Sequence, residues 1–319
     1  MARPTQPKDM RLIHKISHLY YEQNLGEDEI AVKLTLSPSK ISRVLKYARD
    51  IGIVQIFVKS PAGIYMDLEE QLESKFHLQE AMIVGVGDEH SPDAVTRAVG
   101  SAAAKYLITS LQNGNIIGVS WGTTLSAMVA SVPPQNFSNC HIVQIIGGLG
   151  SPTADAHVTD LCRRLASTLG CETTLLPAPG IVGSGPVKEV ILSDAYVQKA
   201  FSLMPKIDIA FVGVGAPTPN SVLLRDGLII NHSELDSLLQ KGAVGDIALR
   251  FFDTHGQPIV SDLDERVIGI SLDQIKAIKR VVGVAGGLEK LAAIRGALLG
   301  GFLKVLIVDL PTAKRLINE

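Results

Sequence analysis

The feature that most constrains the fold is a rhythm that repeats between residues 81 and 308. Short apolar runs are followed by turns, most of them rich in glycine, and then by helical patterns, which predicts βα units in a mostly parallel, Rossmann-like sheet and places the chain in the α/β class. The runs are nearly continuous in apolar character, as in strands that are buried on both faces. The predicted strands are 81–84, 115–120, 141–146, 207–212, 280–284 and 304–308. Because the carboxyl ends of parallel strands meet at one edge, we expect the turns there, where such sheets bind ligands.

The first 59 residues follow a different pattern. Apolar spacing predicts a helix from Asp9 to Gln23 with Asp9 as its cap, and a second helix over 27–34. A tight connection leads to a third helix, for which Ser37 is the cap and Pro38 the first helical residue. Residues 53–59 then read as a strand. Three helices with a short turn and a strand predict a helix-turn-helix with a wing.

The outer face of the third helix predicts contact with double-stranded DNA. It carries hydroxyls and cations, and no acid lies between Ser37 and Arg49. Arg43 suits bidentate contact with guanine, whereas Lys40 and Lys46 suit phosphates. The alternative is a three-helix cap with a solvated polar face. The residues expected to face DNA are Ser37, Ser39, Lys40, Ser42, Arg43 and Lys46.

The charge distribution agrees with a nucleic-acid partner but does not establish one. The net charge is −2, yet residues 1–59 hold ten Lys or Arg against six acids, so the acidic excess lies in the remainder. A basic end on an acidic body can orient a molecule toward a polyanion. Ordinary fluctuation among surface charges explains the asymmetry equally well.

Two predicted helix starts at the sheet edge favour a small anion. Ser120-Trp121-Gly122-Thr123-Thr124 offers amides and hydroxyls, and Gly286-Gly287-Leu288-Glu289-Lys290 adds an ammonium. Neither Gly85-Val86-Gly87 nor Gly213-Val214-Gly215 continues into the dinucleotide fingerprint, and there is no phosphate loop. The two helix starts together suggest a phosphorylated sugar or a similar polyol as the ligand, and structural glycines are the alternative.

Asp246 is a further candidate ligand because it follows Gly245 directly and could accept hydrogen bonds from sugar hydroxyls. Its alternative role is that of a helix cap. Catalytic and metal-binding motifs such as HExxH and GxSxG are missing from the sequence, so neither a cofactor nor a metal is expected. The 3 cysteines argue against a disulfide framework, and no apolar run reaches membrane-spanning length. The chain is expected to be cytoplasmic.

Four motifs in a fixed order resemble the SorC family of bacterial sugar-binding transcriptional regulators. They are Ile41-Ser42-Arg43-Val44-Leu45, then Gly118 to Thr124, then Gly245-Asp246 with Arg250 to Asp253, and finally Val284 to Gly287 with Lys290. The resemblance extends from about Arg11 to Ala313. It implies a winged helix-turn-helix joined to a domain related to sugar-phosphate isomerases and deaminases.

The resemblance also implies partners and roles for individual residues. Family members are homo-oligomers, dimers or tetramers, which bind operators near carbohydrate genes and respond to phosphorylated sugars. The residue patterns described above place the helix-turn-helix domain in 1–59, a junction helix in 60–80 and the effector domain in 81–319. A phosphosugar isomerase or deaminase with an added helical module is the alternative function. The residues expected at the effector site are Gly118, Ser120, Gly122, Thr123, Thr124, Gly147, Gly148, Gly213, Asp246, Gly286, Gly287 and Lys290.

Overall fold

In the computed structural model the described residues are 9–56, 63–87, 91–148, 157–218 and 230–319. The chain divides into two compact units, Met1–Ser60 and Pro61–Glu319. Each unit encloses its own cluster of buried apolar side chains. The two units are therefore described separately.

The first unit is helical. α1 is Met10–Ser17 and continues into a single π-helical turn, His18–Glu22, before α2, Glu27–Leu34, and α3, Pro38–Asp50. The predicted cap is confirmed, because the Asp9 carboxylate accepts hydrogen bonds from the amides of the first turn. One apolar face of each helix points to a shared core. The fully buried side chains of that core include Ile13, Ile16, Ile30, Ile41 and Ala48.

The predicted strand after α3 is wrong where the structure describes it. Residues 53–56 form bends and irregular backbone, and 57–59 lie outside the described residues. The apolar side chains that suggested a strand are used differently: Ile53 and Val54 pack against the helical core. The Val54 amide donates to the Ala48 carbonyl at 3.1 Å, and Gly52 adopts a φ of +77°, so the segment closes the end of α3.

The second unit is built on a seven-stranded sheet in which all the described strand pairs are parallel. The six predicted strands are confirmed, and a seventh, β4, lies at one edge. The strand order is β1-β9-β8-β5-β2-β3-β4. The strands are β1 Glu80–Val84, β2 Ile116–Val119, β3 His141–Gln144, β4 Glu172–Thr174, β5 Ile209–Val212, β8 Arg280–Val284 and β9 Val305–Asp309.

Helices cover both faces of this sheet, since every residue of β5 and β9 is buried. α5 packs against α6 and against the sheet, and α7 covers β2, β3 and β4. The helices of this unit are α4 Met66–Phe76, α5 Pro92–Ser110, α6 Thr123–Ser131, α7 Val158–Leu169, α8 Gly185–Leu192, α9 Ala195–Leu203, α10 His232–Gln240, α11 Leu272–Ala277, α12 Leu291–Leu299 and α13 Leu310–Asn318.

A short hairpin that the sequence did not predict lies beside the sheet. It pairs β6, Gly245–Ile247, with antiparallel β7, Arg250–Phe252. Its two turn residues, Ala248 and Leu249, have φ values of +52° and +61°. Asp246 therefore belongs to a strand, and the helix-cap alternative for this residue is wrong.

The edge strand β1 is covered by α4. The Glu69 carboxylate accepts a hydrogen bond from the Ile83 amide, and the Glu73 carboxylate accepts one from the Ala81 amide, both at 2.8 Å. Burial raises the pKa of Glu69. The Lys75 ammonium donates to the last carbonyls of α13, at Leu316 and Ile317. These contacts fix α4 along the side of the sheet.

The connections that follow the adjacent strands β2 and β5 run toward opposite sides of the sheet. β3 lies on one side of β2, whereas β5 lies on the other and is followed outward by β8 and β9. In an open parallel sheet, such a reversal leaves a crevice beyond the carboxyl ends of the two strands. The turns after β2 and β5 are thus the first place to look for a site.

Candidate effector site at the carboxyl edge of the sheet

The turn after β2 presents unused polar groups. The Ser120 amide donates to the Phe211 carbonyl of β5 at 3.1 Å, which ties the two strands together, while the buried Ser120 hydroxyl has no hydrogen-bond partner in the described part of the chain. Gly122 has a φ of +130°, and α6 starts at the next residue without a side-chain cap. The amides of the first turn of α6 are therefore available, and its dipole favours an anion.

The turn after β5 lies directly against this one. A Cβ atom on Gly213 would lie 3.0 Å from the carbonyl oxygen of Trp121. Gly215 exchanges two backbone hydrogen bonds with Asp246, at 3.0 and 3.1 Å, and a side chain on Gly215 would collide with the Asp246 carboxylate. The absence of side chains at these glycines brings β6 against the end of β5.

Asp246 has one used and one unused carboxylate oxygen. Its Oδ2 accepts a hydrogen bond from the Leu249 amide at 3.1 Å, whereas Oδ1 is buried without a partner among the described residues. Burial raises the pKa of Asp246 to about 6, although the Leu249 hydrogen bond and the charge of Lys290 oppose this shift. A buried carboxylate with a free oxygen is suited to accept a hydrogen bond from a ligand hydroxyl.

The turn after β8 supplies a cation. Lys290 ends a short 3₁₀ turn, Leu288–Lys290, and immediately precedes α12. Burial lowers the pKa of its half-buried ammonium, and the negative charges of Glu289 and Asp246 oppose that effect. The Gly287 amide is already engaged, because it donates to Oδ1 of Asp309 at 2.7 Å. This turn therefore offers a charge, and its first amide is already bonded to a carboxylate.

The other glycines predicted at the site lie in close-packed backbone. A Cβ on Gly118, within β2, would meet the side chains of Ile207 and Ile145. The amides of Gly147 and Gly148 donate to the carbonyls of Ile268 and Ala178, so these residues join β3 to neighbouring loops. The backbone of Gly286 lies against Asp309, Val95 and Val99.

The described residues contain three buried side-chain oxygens without a hydrogen-bond partner, and two of them are Ser120 Oγ and Asp246 Oδ1. Buried polar atoms in folded proteins are normally hydrogen-bonded, so such atoms at one sheet edge point to a ligand. The structure thus brings together Ser120, the start of α6, Gly213, Asp246 and Lys290. Segments 88–90, 149–156 and 219–229, which follow β1, β3 and β5, lie outside the described residues.

Two open depressions lie elsewhere on the second unit. One, of about 700 Å³, is lined by α4 and the end of α13, and the other, of about 460 Å³, lies between β4 and α9. Neither contains a residue predicted from the sequence to bind a ligand. We place the candidate site at the carboxyl edge because the unpartnered oxygens lie there.

Sequence reasoning missed two residues that shape this site. Asp309 is buried, and besides Gly287 it accepts hydrogen bonds from the amide and hydroxyl of Thr312 as the cap of α13. An aspartate after a strand and before Leu310-Pro311 is a readable helix-start signal. Gln144 is buried at the end of β3, where it contacts the Ile146 carbonyl and the Thr159 hydroxyl. Nothing in the sequence distinguished Gln144.

The predicted DNA-binding residues all lie on the exposed face of the first unit, on α3 or at its cap. The Arg43 Nε donates to the Ser39 carbonyl at 3.1 Å, and the hydroxyls of Ser37 and Ser39 lie 3.3 Å apart. The Nε contact ties the guanidinium to the backbone of its own helix.

No helix within the described ranges is both long and apolar enough to cross a membrane. No group of three or more His, Cys, Asp or Glu side chains in the same ranges is arranged to hold a metal ion.

Comparison with known proteins identifies the class. The Sugar-bind family, described as "Putative sugar-binding domain", matches residues 61–318. The deoxyribonucleoside regulator of Bacillus subtilis is 32% identical over 305 residues, covering 95% of this chain and 96% of that protein. The sorbitol operon regulator of Klebsiella pneumoniae is 32% identical over 316 residues, covering 97% and 98%. The names of these relatives describe transcriptional regulators and not enzymes.

One of the solved structures that the chain resembles matches it over nearly the whole length. The crystal structure of full-length SorC from Klebsiella pneumoniae has a TM-score of 0.75 and 30% identity, and covers 96% of this chain and 98% of SorC. The chain belongs to the SorC family of sugar-binding transcriptional regulators. The regulator interpretation is thereby supported over the alternative of a phosphosugar isomerase or deaminase.

Proposed function

We propose that this regulator binds operator DNA through the exposed face of α3, and that a phosphorylated sugar at the carboxyl edge of the sheet changes its operator affinity. In this proposal residues 1–59 read DNA, 60–80 form the junction and 81–319 bind the effector. Operator DNA as a partner implies action in the cytoplasm. The observation that carries the proposal is the pair of unpartnered buried oxygens, Ser120 Oγ and Asp246 Oδ1, beside the cation Lys290.

The polar groups at the edge match the two parts of such a ligand. The amides of Gly122, Thr123 and Thr124, which no side chain among the described residues caps, and the dipole of α6 suit the phosphate. Asp246 Oδ1 can accept a hydrogen bond from a sugar hydroxyl, and Lys290 supplies the counter-charge. Gly147, Gly148 and Gly213 permit close approach of the backbone, while Gly118, Gly286 and Gly287 keep the turns compact.

The coupling between ligand and DNA needs only a modest free energy. An effector shifts operator binding by its preference for one arrangement of the protein over another. A coupling on the order of 1–3 kcal/mol changes operator affinity about 5- to 150-fold. We further propose a homo-oligomer, a dimer or tetramer, because a helix-turn-helix protein with two-fold symmetry reads two half-sites.

The effector part is tested by a thermal-shift screen of phosphorylated sugars against their unphosphorylated parents. A ligand that binds only the folded protein raises the melting temperature by mass action. We expect at least one phosphorylated sugar to raise it and its parent sugar to have little effect. That compound should then change operator affinity in a mobility-shift titration. A panel without any stabilising phosphate ester would contradict the proposal.

The DNA part is tested by Arg43→Ala with Arg49→Ala as the matched control, since both arginines are exposed on α3. Loss of a bidentate guanine contact reduces specific affinity by about 1–3 kcal/mol, so we expect roughly a 5- to 150-fold loss for Arg43→Ala. Arg49→Ala should have a much smaller effect. Binding by the unaltered protein should weaken steeply as salt rises. A flat salt response would exclude the basic face of α3 as the reader.

A further inference from the structure

Two of the cysteines lie side by side on neighbouring strands. Cys140 and Cys171 immediately precede His141 and Glu172, which are register partners in the parallel pair β3 and β4. The Glu172 amide donates to the Cys140 carbonyl at 3.2 Å, so the pairing extends to the cysteines. Neighbouring strands are about 4.8 Å apart, within the roughly 4.4–6.8 Å between Cα atoms that a disulfide requires.

The two thiols also lie close enough for the Cys140 thiol to contribute to the raised pKa of Cys171, after the larger effect of burial. The Cys140 thiol donates to the Gln112 carbonyl at 3.2 Å, and the Cys171 thiol faces the Leu169 carbonyl at 3.7 Å. Cys140 is buried, whereas Cys171 is half-buried. Both cysteines are reduced in the structure.

We propose that Cys140 and Cys171 are a site of reversible oxidation, at which a peroxide converts the two thiols into a disulfide. The Cys171 thiolate attacks one peroxide oxygen, the O–O bond breaks, and a sulfenic acid and water form. The Cys140 sulfur then attacks the sulfenic sulfur, the S–S bond forms, and a second water leaves. Two electrons pass from the sulfurs to the peroxide, and a dithiol reductant reverses the step.

The surroundings of the pair determine its rate. Burial raises the pKa of Cys171 to about 12, so only a small fraction is thiolate at neutral pH. Oxidation should therefore be slow at pH 7 and should accelerate about tenfold for each pH unit up to pH 9. Such a pair responds to sustained oxidant rather than to a brief pulse.

The third cysteine provides a matched control within the same unit. Cys162 lies in α7 and is fully buried. Burial also raises the pKa of its thiol. It should remain reduced under conditions that oxidise the pair.

The experiment treats the full chain with hydrogen peroxide, then counts thiols in denaturant and maps peptides by mass spectrometry without reduction. We expect the 3 titratable thiols to fall to one, with a Cys140–Cys171 peptide that disappears on reduction. Cys171→Ser should abolish the crosslink, and Cys162→Ser should leave it intact. Cys140→Ser should also abolish the crosslink. Because this substitution alters a buried site, the folding of the variant is checked by circular dichroism. The peptide map of the unaltered chain tests the proposal even if the variant does not fold.

Three outcomes would overturn the proposal. One is retention of all the thiols after prolonged treatment at pH 9. The second is a crosslink that includes Cys162 or joins two chains. The third is oxidation of Cys171 to a sulfinic acid without a crosslink, which would show that Cys140 cannot reach it.

Discussion

The turns after β2 and β8 are alike in sequence and differ in how their polar groups are used. Each has a glycine at positive φ, Gly122 at +130° and Gly287 at +98°, just before a helical turn. After β2, the amides of α6 have no cap and the Ser120 hydroxyl is unpartnered within the described chain. After β8, the Gly287 amide is bonded to the carboxylate of Asp309.

This difference shows that a glycine-rich helix start is not by itself an anion site. In the second turn a buried carboxylate already occupies the position that an anion would take, and an added phosphate would be repelled by it. We infer that the two turns contribute different groups to the site: the turn after β2 supplies amides, and the turn after β8 supplies the charge of Lys290. The predictions below test this difference between the two turns, beginning with the largest expected effect.

The strongest test is removal of the carboxylate that closes the second turn. Asp309→Ala leaves the amides of Gly287 and Thr312 and the Thr312 hydroxyl without their acceptor. Unsatisfied buried donors are costly, so we expect the free energy of unfolding to fall by about 3 kcal/mol or more in urea denaturation. Thr123→Ala, in the first turn, is the control and should change it little. A loss below about 1 kcal/mol for Asp309→Ala would show that the second turn is not held by this carboxylate.

The next effect depends on pH. Asp246 has a pKa raised to about 6 in the folded protein, against about 3.9 in an unfolded chain, so folding favours its neutral form. Its stabilising contribution is complete below about pH 4 and is lost as the pH rises through 6. We expect Asp246→Asn to remove a decline on the order of 2 kcal/mol between pH 4 and 7.5, measured by urea denaturation at both values. Parallel pH profiles for the variant and the unaltered chain would contradict the assignment.

Removing the positive charge of the turn after β8 should weaken effector binding and leave DNA binding unchanged. For Lys290→Ala we expect about a tenfold loss of phosphorylated-sugar affinity by calorimetry, because a charge-assisted contact to the phosphate is lost. Operator affinity without effector should stay within experimental error. Lys314→Ala, exposed on α13, is the control. Unchanged affinity for the phosphorylated sugar in Lys290→Ala would show that the Lys290 ammonium does not contribute to ligand binding.

The smallest effect concerns the first turn. Ser120→Ala removes a buried hydroxyl that has no partner among the described residues, so the free energy of unfolding should stay constant or rise by up to about 1 kcal/mol. Affinity for the phosphorylated sugar should fall about fivefold, equivalent to the loss of one neutral hydrogen bond. In Ser131→Ala, by contrast, a hydroxyl that donates to the Ala127 carbonyl is lost outside the site, and ligand affinity should not change. A marked loss of stability in Ser120→Ala would mean that its hydroxyl is bonded in the free protein.

The parallel sheet was predictable because its strands are buried on both faces and therefore read as apolar runs. β4 was missed for the opposite reason. Its sequence, Glu172-Thr173-Thr174, is polar and mostly exposed at the edge of the sheet. The β6–β7 hairpin was missed because its turn, Ala248-Leu249, adopts positive φ with residues that give no turn signal.

The location of the candidate site was predictable from the sequence. The hydrogen bonds between its polar groups were not. Parallel strands guarantee that Gly122, Gly213 and Gly287 reach one edge. Which oxygen remains unpartnered depends on contacts between distant segments, such as Gly287 with Asp309 and Gly215 with Asp246, which no local pattern encodes. Arg250, part of the motif that carries the family resemblance, binds Asp264 and the carbonyls of Val267 and Ile270, so this part of the motif has a structural role.

The carboxylates of α4 have a consequence for any shortened form of the second unit. Glu69 and Glu73 satisfy two amides that β1, the outermost strand, would otherwise direct into water. A fragment that began at residue 80 would expose those donors as a template on which another chain could add a strand. The helix α4, which precedes the first strand of the sheet, thus protects the edge of the sheet from aggregation. The smallest fragment that resists aggregation must therefore begin before Met66.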